Sequence, residues 1–337
     1  MIRMGKRLLI GLLALLLLLL CACSGNRQDL KVVGSCAGYD VLYEELRYVT
    51  LTYKDMFEAT YGEGIWDDPA TAEQYRAELE ETVFRVMLNN YAVLAACAAH
   101  AITAEDLEND AIREAVDANI EEAIESYGGE KAFAEALQNM YMTEHFLRFC
   151  LSVSQLENEL KYAMIDINRI ENNVDKFMQW IEEGNGVYVQ HIYVRNDAGE
   201  DREQNRALAE NVRAQILGGT DISKFVGSSV NDDLQNVSPY YVVRDVYVEA
   251  LESAAMSLSR VGDVSQVVEV EDGYYVLVRM EESYGESGEN LTLMSKVTSL
   301  LTSYQWAKVE AYVDTYKENL KIEWNEYGKS IDLLAIE

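Results

Sequence analysis

At Gly184 the spacing of apolar residues changes, and that change bounds the fold more tightly than any other feature of the 337-residue chain. Before it, apolar residues recur every three or four positions, as they do along one face of a helix. Leu42, Leu46, Val49, Tyr53 and Met56 make one such stripe; Tyr75, Leu79, Val83, Met87, Tyr91 and Leu94 make a second. Asp68-Pro69 predicts where the second helix begins, with aspartate as cap and proline at the first helical position. "TAED", Thr103 to Asp106, resembles a capping box and predicts another start. Gly128-Gly129 predicts a break, and "AFAEALQNM" and "TEHFLRFCLSVSQLENELKYAMI" are helical again. After Gly184 the period becomes two. "GVYVQHIYVRN" points Val187, Val189 and His191 one way and Tyr188, Gln190 and Ile192 the other. "EQNRALAENVRAQILGG" predicts a helix stopped by glycine, and "YVEALESAAMSL" a short one. "VSQVVEVEDGYYVLVRMEE" predicts two strands turning at Asp272-Gly273. "GESGE", Gly285 to Glu289, marks a boundary before a long amphipathic helix whose wide apolar stripe has no local partner. That helix is expected to return to the N-terminal ones.

The first 22 residues read as a leader rather than as fold. Arg3, Lys6 and Arg7 precede an unbroken apolar run from Leu8 to Leu20, shorter than the ~20 residues a membrane-crossing helix requires. The run ends in "LCAC", which resembles a bacterial lipobox and implies that Cys23 is acylated and becomes the first mature residue. Removing residues 1–22 leaves 25 basic against 58 acidic residues, a net charge of −33. Such a surface repels nucleic acid and anionic headgroups, so the lipid rather than a basic patch would be the anchor. Cys36, Cys97 and Cys150 are too few and too odd in number for a disulfide framework. About 310 mature residues imply two domains.

This order of segments resembles the extracytoplasmic foldases of the PrsA/SurA type. "AHAITAEDLENDAI" and "YGGEKAFAEALQNMYMTEHFLRFCLSVSQLENEL" are similar to helix starts and faces of that family. "VYVQHIYV" is similar to the opening strand of its parvulin domain. "GDVSQVVEVEDGYYVLVRM" is similar to the closing strands, with Gly262, Val264, Ser265, Val268 and Gly273 in register. The resemblance implies an α+β multidomain protein. A helical chaperone domain, its N- and C-terminal segments co-folded, would be interrupted by an inserted parvulin-like α+β domain. The expected divisions are 1–22 leader, 23–30 tether, 31–184 helical domain, 185–283 parvulin-like domain and 284–337 C-terminal helix and tail.

The same resemblance implies a site. Parvulins place two facing histidines on neighbouring strands under a proline pocket. His191 stands at the first position, and Tyr275 occupies the second. The carboxylate beside the pocket is assigned to Asp232 or Asp233, and the apolar seat to Tyr247, Leu251 and Met256. Two readings of His191 and Tyr275 follow: a divergent prolyl isomerase site, or a structural hydrogen bond linking two strands. The implied partners are unfolded or secreted polypeptides, with no nucleic acid, on the outer side of a bacterial cell membrane. The 22 tyrosines suit an amphipathic holding surface, or simply the edges of a core.

No cofactor is expected, and no metal. His100, His145 and His191 are scattered, without zinc-ligand spacing. Asn196 to Asn205 is acidic but lacks the ligand order of a calcium loop. The competing class is a surface lipoprotein that binds a solute or scaffolds an envelope complex. Its usual repeated βαβ units are missing from this pattern. Cys23→Ser is expected to move the protein from the membrane to the soluble fraction, and continued membrane attachment would remove the lipid anchor from this reading.

Overall fold

The computed structural model describes residues 28–337 apart from 108, 166–169, 171–172, 197–201, 234–237 and 282–288. The expected leader, Cys23, most of the expected tether and nearly all of "GESGE" therefore lie outside the described residues. The described chain is mostly helical with two small antiparallel sheets. It divides into two compact units, one running to Leu160 and resuming at Tyr312–Glu337, the other Lys161–Ala311.

In the first unit, β1 (Val32–Cys36) and β2 (Tyr39–Leu42) form a hairpin. Its two-residue turn has Ala37 at φ 53° and Gly38 at φ 87°, both left-handed, the twist that a tight hairpin needs. Strand β7 (Glu323–Trp324) pairs with the other edge of β1, so both ends of the described chain share one sheet, ordered β2-β1-β7. Gly34 permits this approach: a Cβ there would stand 2.8 Å from the Glu323 carbonyl oxygen.

Helix α1 (Tyr43–Tyr61) packs along α2 (Pro69–Ala99). The cap read from sequence forms, with Asp68 Oδ1 accepting from Ala70 N at 3.0 Å. Leu79, Val83, Met87, Tyr91 and Leu94 are fully buried along α2, while Tyr75 is half-buried. The start at Thr103 differs. Asp106 Oδ2 does accept from Thr103 N, but the helix lasts only Ala104–Leu107. Asn109 then caps α3 (Asp110–Tyr127) afresh. A local cap lowers the cost of a helix end; it does not sustain the turns beyond it. Helices α4 (Glu130–Asn139) and α5 (Glu144–Met164) follow.

Glu44 and Glu45, in the first turn of α1, are 3% and 2% exposed. Glu44 accepts from Thr143 Oγ1 and contacts His145 Nδ1. Glu45 Oε2 accepts from the Tyr91 hydroxyl at 2.6 Å, while its Oε1 is covered and has no hydrogen-bond partner. Burial pushes the Glu45 carboxyl up to about 7, against the lowering effect of Tyr91.

The second unit is built on a sheet ordered β4-β3-β6-β5, all antiparallel. The strands are β3 (Gly186–Arg195), β4 (Tyr240–Val243), β5 (Val268–Val270) and β6 (Gly273–Arg279). The period-two pattern sorts β3 as expected. Val187 and Val189 pack with Leu251 and Ala255 of α8 (Glu249–Met256). Ile192 and Val194 lie in the clusters that contain Val212 and Ala209 of α7 (Arg202–Leu217). A fourth cluster joins Phe177 and Ile181, at and just beyond α6 (Val174–Trp180), to Tyr241, Val243, Val297, Leu301 and Tyr304. The last three lie on α9 (Glu289–Lys317), so that part of its stripe finds cover inside this unit, while its end from Tyr312 belongs to the first unit, where Tyr312 meets the His100 ring edge-on at 5.5 Å. Because Phe177 and Ile181 pack here, the compact boundary falls at Lys161, ahead of the change of period at Gly184.

Glu45 generates a pH prediction for the first unit. A carboxyl whose folded pKa is raised favours folding fully below its ordinary 4.5, and that contribution is lost as pH rises through about 7. Glu45→Gln keeps an acceptor for Tyr91 without the charge. It is expected to raise the unfolding temperature at pH ~8 and flatten its fall from pH ~5, an effect on the order of 3 kcal/mol. Calorimetry at both pH values checks this, and an undiminished fall in the variant would contradict it.

Candidate functional site

His191 sits mid-way along β3, opposite Leu277 of β6, and is 1% exposed. A buried imidazole needs polar partners. Its Nδ1 lies 2.8 Å from the Tyr240 hydroxyl, and its Nε2 lies 3.2 Å from Asp233 Oδ2. The carboxylate is within ion-pair range but off the axis of the ring N–H, so no well-formed hydrogen bond joins them. A carboxylate can only accept. The arrangement therefore favours a proton on Nε2, leaving Nδ1 to accept from Tyr240. Burial pushes the His191 pKa down and Asp233 pulls it part of the way back.

Tyr275, on β6, meets His191 edge-on, with ring centroids 5.2 Å apart. It contributes a ring, whereas the hydrogen bond expected of it comes from Tyr240. Tyr275 is stacked in turn on Tyr193, at 4.5 Å and 27°. Gly273, opposite Arg195, lets the Tyr193 ring lie close over the backbone, since a Cβ there would stand 2.6 Å from that ring. The "GDVS" segment supports β6 from its other edge: Ser265 N donates to Leu277 O, and Ser265 Oγ accepts from Leu277 N at 2.9 Å.

The two candidate aspartates separate. Asp232 N donates to Tyr193 O at 2.8 Å, and its Oδ2 accepts from Arg195 N at 2.8 Å. Beside it the buried Asn231 accepts from Tyr193 N at 3.0 Å. Strand β4 pairs only with Gly186–Val189, so the outer edge of β3 beyond that point would otherwise present unpaired backbone groups. Asn231 and Asp232 cover it in place of a strand. Asp233, the next residue, is thereby delivered to His191.

Tyr247, Leu251 and Met256, the expected apolar seat, share one cluster with Tyr240, Tyr275 and Leu277. Leu251 is buried, and Tyr247 and Met256 are half-buried. Tyr247 donates its hydroxyl to Tyr241 O at 3.1 Å, and burial pushes its phenol up to about 12. Glu252 Oε1 accepts from Val246 N and Tyr247 N, both at 2.8 Å, which holds the turn entering α8. Tyr240 is the residue that sequence reasoning missed. The pairing of Tyr240 with Val189 and of Val242 with Val187 puts both on the His191 side of the sheet, and no local sequence signal carries that pairing.

Among the described residues no three His, Cys, Asp or Glu side chains form a metal-binding group. Cys36, Cys97 and Cys150 are free thiols, pushed by burial up to about 11, 12 and 11 respectively. They are poor nucleophiles at neutral pH.

No family model matches the chain, and no curated protein matches it. Solved structures that it matches include foldases and chaperones of the PrsA and SurA type. Foldase PrsA from Streptococcus pneumoniae is 16% identical over 77% of this chain and 91% of that one, with a TM-score of 0.34. PrsA from Bacillus anthracis is 13% identical over 61% and 86%, with a TM-score of 0.33. A SurA-like chaperone of Campylobacter jejuni is 12% identical over 88% and 99%, with a TM-score of 0.28.

The imidazole generates a prediction of opposite sign to that of Glu45. A base whose folded pKa is lowered stabilises the fold above its ordinary 6.5, and the contribution is lost as pH falls toward the lowered value. Relative to His191→Gln, the parent chain is expected to lose stability between pH ~7.5 and ~5.5, so the difference in unfolding temperature between the two across that interval isolates the histidine from the opposite trend of Glu45. Tyr240→Phe removes the partner of a covered Nδ1 and should cost about 1–3 kcal/mol at pH 7.5. Equal stability of Tyr240→Phe and the parent chain would contradict this account.

Proposed function

We propose that this protein is a lipid-anchored extracytoplasmic foldase: a helical unit that holds non-native polypeptide, carrying a parvulin-like unit at Lys161–Ala311. The observation that carries the reading is the buried His191, bonded to Tyr240 on the face of a four-stranded antiparallel sheet and beside the apolar group of Tyr247, Leu251 and Met256. The lipobox-like "LCAC" supports the anchor, and the acidic surface supports a role away from nucleic acid.

Rotation about an X–Pro bond faces a barrier of ~18–20 kcal/mol set by amide resonance. Lowering it requires no covalent step. An apolar seat holds the proline ring while the imide, poorly solvated there, loses part of the stabilisation of its planar polar form. A neutral imidazole suits that task, because a fixed charge beside the imide would favour the planar dipole. The depressed pKa keeps His191 neutral at pH 7. Tyr247 and Met256 are the half-exposed members of the seat.

One observation favours a second reading within the same proposal. Both nitrogens of His191 already face groups of the fold, Tyr240 and Asp233, as they would in a strand-linking polar cluster without catalysis. The chain would then hold clients without isomerising them. The two are separated by following cis-to-trans conversion of an alanyl-prolyl peptide with the soluble chain from Gln28 onward. Acceleration that falls at least about tenfold in Tyr247→Ala supports catalysis at this seat, and a rate equal to buffer alone leaves the holding function. Suppression of aggregation of a reduced, unfolded client is expected in either case, and its absence would overturn the foldase reading.

A further inference from the structure

The turn between α1 and α2 carries an aromatic group that the fold does not cover. Phe57 forms its base and is buried. Around it stand Tyr61, Trp66 and Tyr75, with centroids 5.5, 5.9 and 6.2 Å from the Phe57 ring. Tyr61 and Tyr75 are stacked at 4.4 Å and 20°. Tyr61 is 45% exposed, while Trp66 and Tyr75 are half-buried. Large apolar side chains grouped at the surface in this way mark contact surfaces more often than isolated ones do.

The charge around the group is one-sided. From Asp55 to Glu81 the chain has nine carboxylates and one cation, Arg76. That guanidinium is already engaged, 2.9 Å from Asp332, 3.3 Å from Glu73 and 3.9 Å from Glu80. The next cation back, Lys54, donates to the Leu334 and Ile336 carbonyls at 3.2 and 3.0 Å. Asp55, Glu63, Asp67 and Glu78 are exposed, and the Glu78 carboxylate raises the pKa of the Tyr61 phenol. A ligand for this surface therefore has to bring apolar or aromatic side chains and positive charge together. Lysine and arginine do so within one side chain, since their stems lie along rings while the heads reach carboxylates. An acidic segment would meet repulsion from every side.

We infer that Tyr61, Trp66 and Tyr75, standing over Phe57, form a docking surface for an extended, non-native polypeptide segment in which lysine or arginine alternates with apolar or aromatic residues. The inference rests on the foldase reading and adds to it a client chemistry and a seat in the first unit. It is independent of proline.

The test uses the soluble chain from Gln28 onward and two fluorescein-labelled, proline-free twelve-residue peptides, one alternating Lys with Leu and Tyr, the other with Glu in place of Lys. Anisotropy is expected to show binding of the lysine peptide, weakened by 0.5 M salt, and affinity for the glutamate peptide at least about tenfold lower. The variant Tyr61→Ser alters an exposed side chain and is expected to weaken the lysine peptide about tenfold. Glu63→Gln with Glu78→Gln is expected to weaken it severalfold and to reduce the salt dependence. Equal affinity for the two peptides, or unchanged binding in the serine variant, overturns the inference. If the parent chain still suppresses client aggregation in that event, the foldase reading stands and its holding surface lies elsewhere; if suppression is absent too, both fall.

Discussion

The antiparallel ladder between β3 and β6 is the constraint on which the second unit depends. It pairs Val189 with Arg279 at one end and Arg195 with Gly273 at the other. Because side chains alternate along both strands, this register places His191 and Tyr275 on one face and Ile192 and Val276 on the other. A slip of one residue would exchange the faces, exposing the imidazole to the α7 side and leaving Tyr240 and Asp233 with nothing to hold. Gly273 helps to pin the register, since a side chain there would collide with the Val194 carbonyl and the Tyr193 ring.

The polar groups of the two units obey one rule, that a buried charge or dipole must be answered, and they answer it in opposite ways. His191 is kept neutral by burial and is given a phenol and a carboxylate. Glu45 is answered on one oxygen only, by Tyr91, and holds its proton to higher pH in compensation. Stability of the first unit therefore decreases toward alkaline pH through this group, while that of the second decreases toward acid. Both changes fall largely below pH 7, in overlapping windows and with opposite signs.

Several site features were legible before any coordinates. Aspartate followed by proline marked the start of α2, the stripe from Leu79 to Leu94 marked its buried face, and alternation set the two sides of β3. Even Asp233 was one of two named candidates. Tyr240 was not legible, because its role depends on β4 lying beside β3, and the pairing of strands some fifty residues apart leaves no local periodicity. The same holds for Asp232. An aspartate in a loop looks like a site residue until the unpaired edge of β3 is seen to require it.

The sequence by itself determined the helical first half, the strands that begin after Gly184, the long helix that follows them, the strongly acidic surface and the histidine on the apolar side of a strand. These depend on side-chain spacing and charge, which are properties of neighbours in the chain. Tertiary structure alone decided that β7 closes the sheet begun by β1, that Phe177 and Ile181 belong with α9, and that Tyr240 rather than Tyr275 bonds His191. Those outcomes are set by which surfaces meet when distant segments pack, and burial is a non-directional force that chooses among partners only once all of them are present.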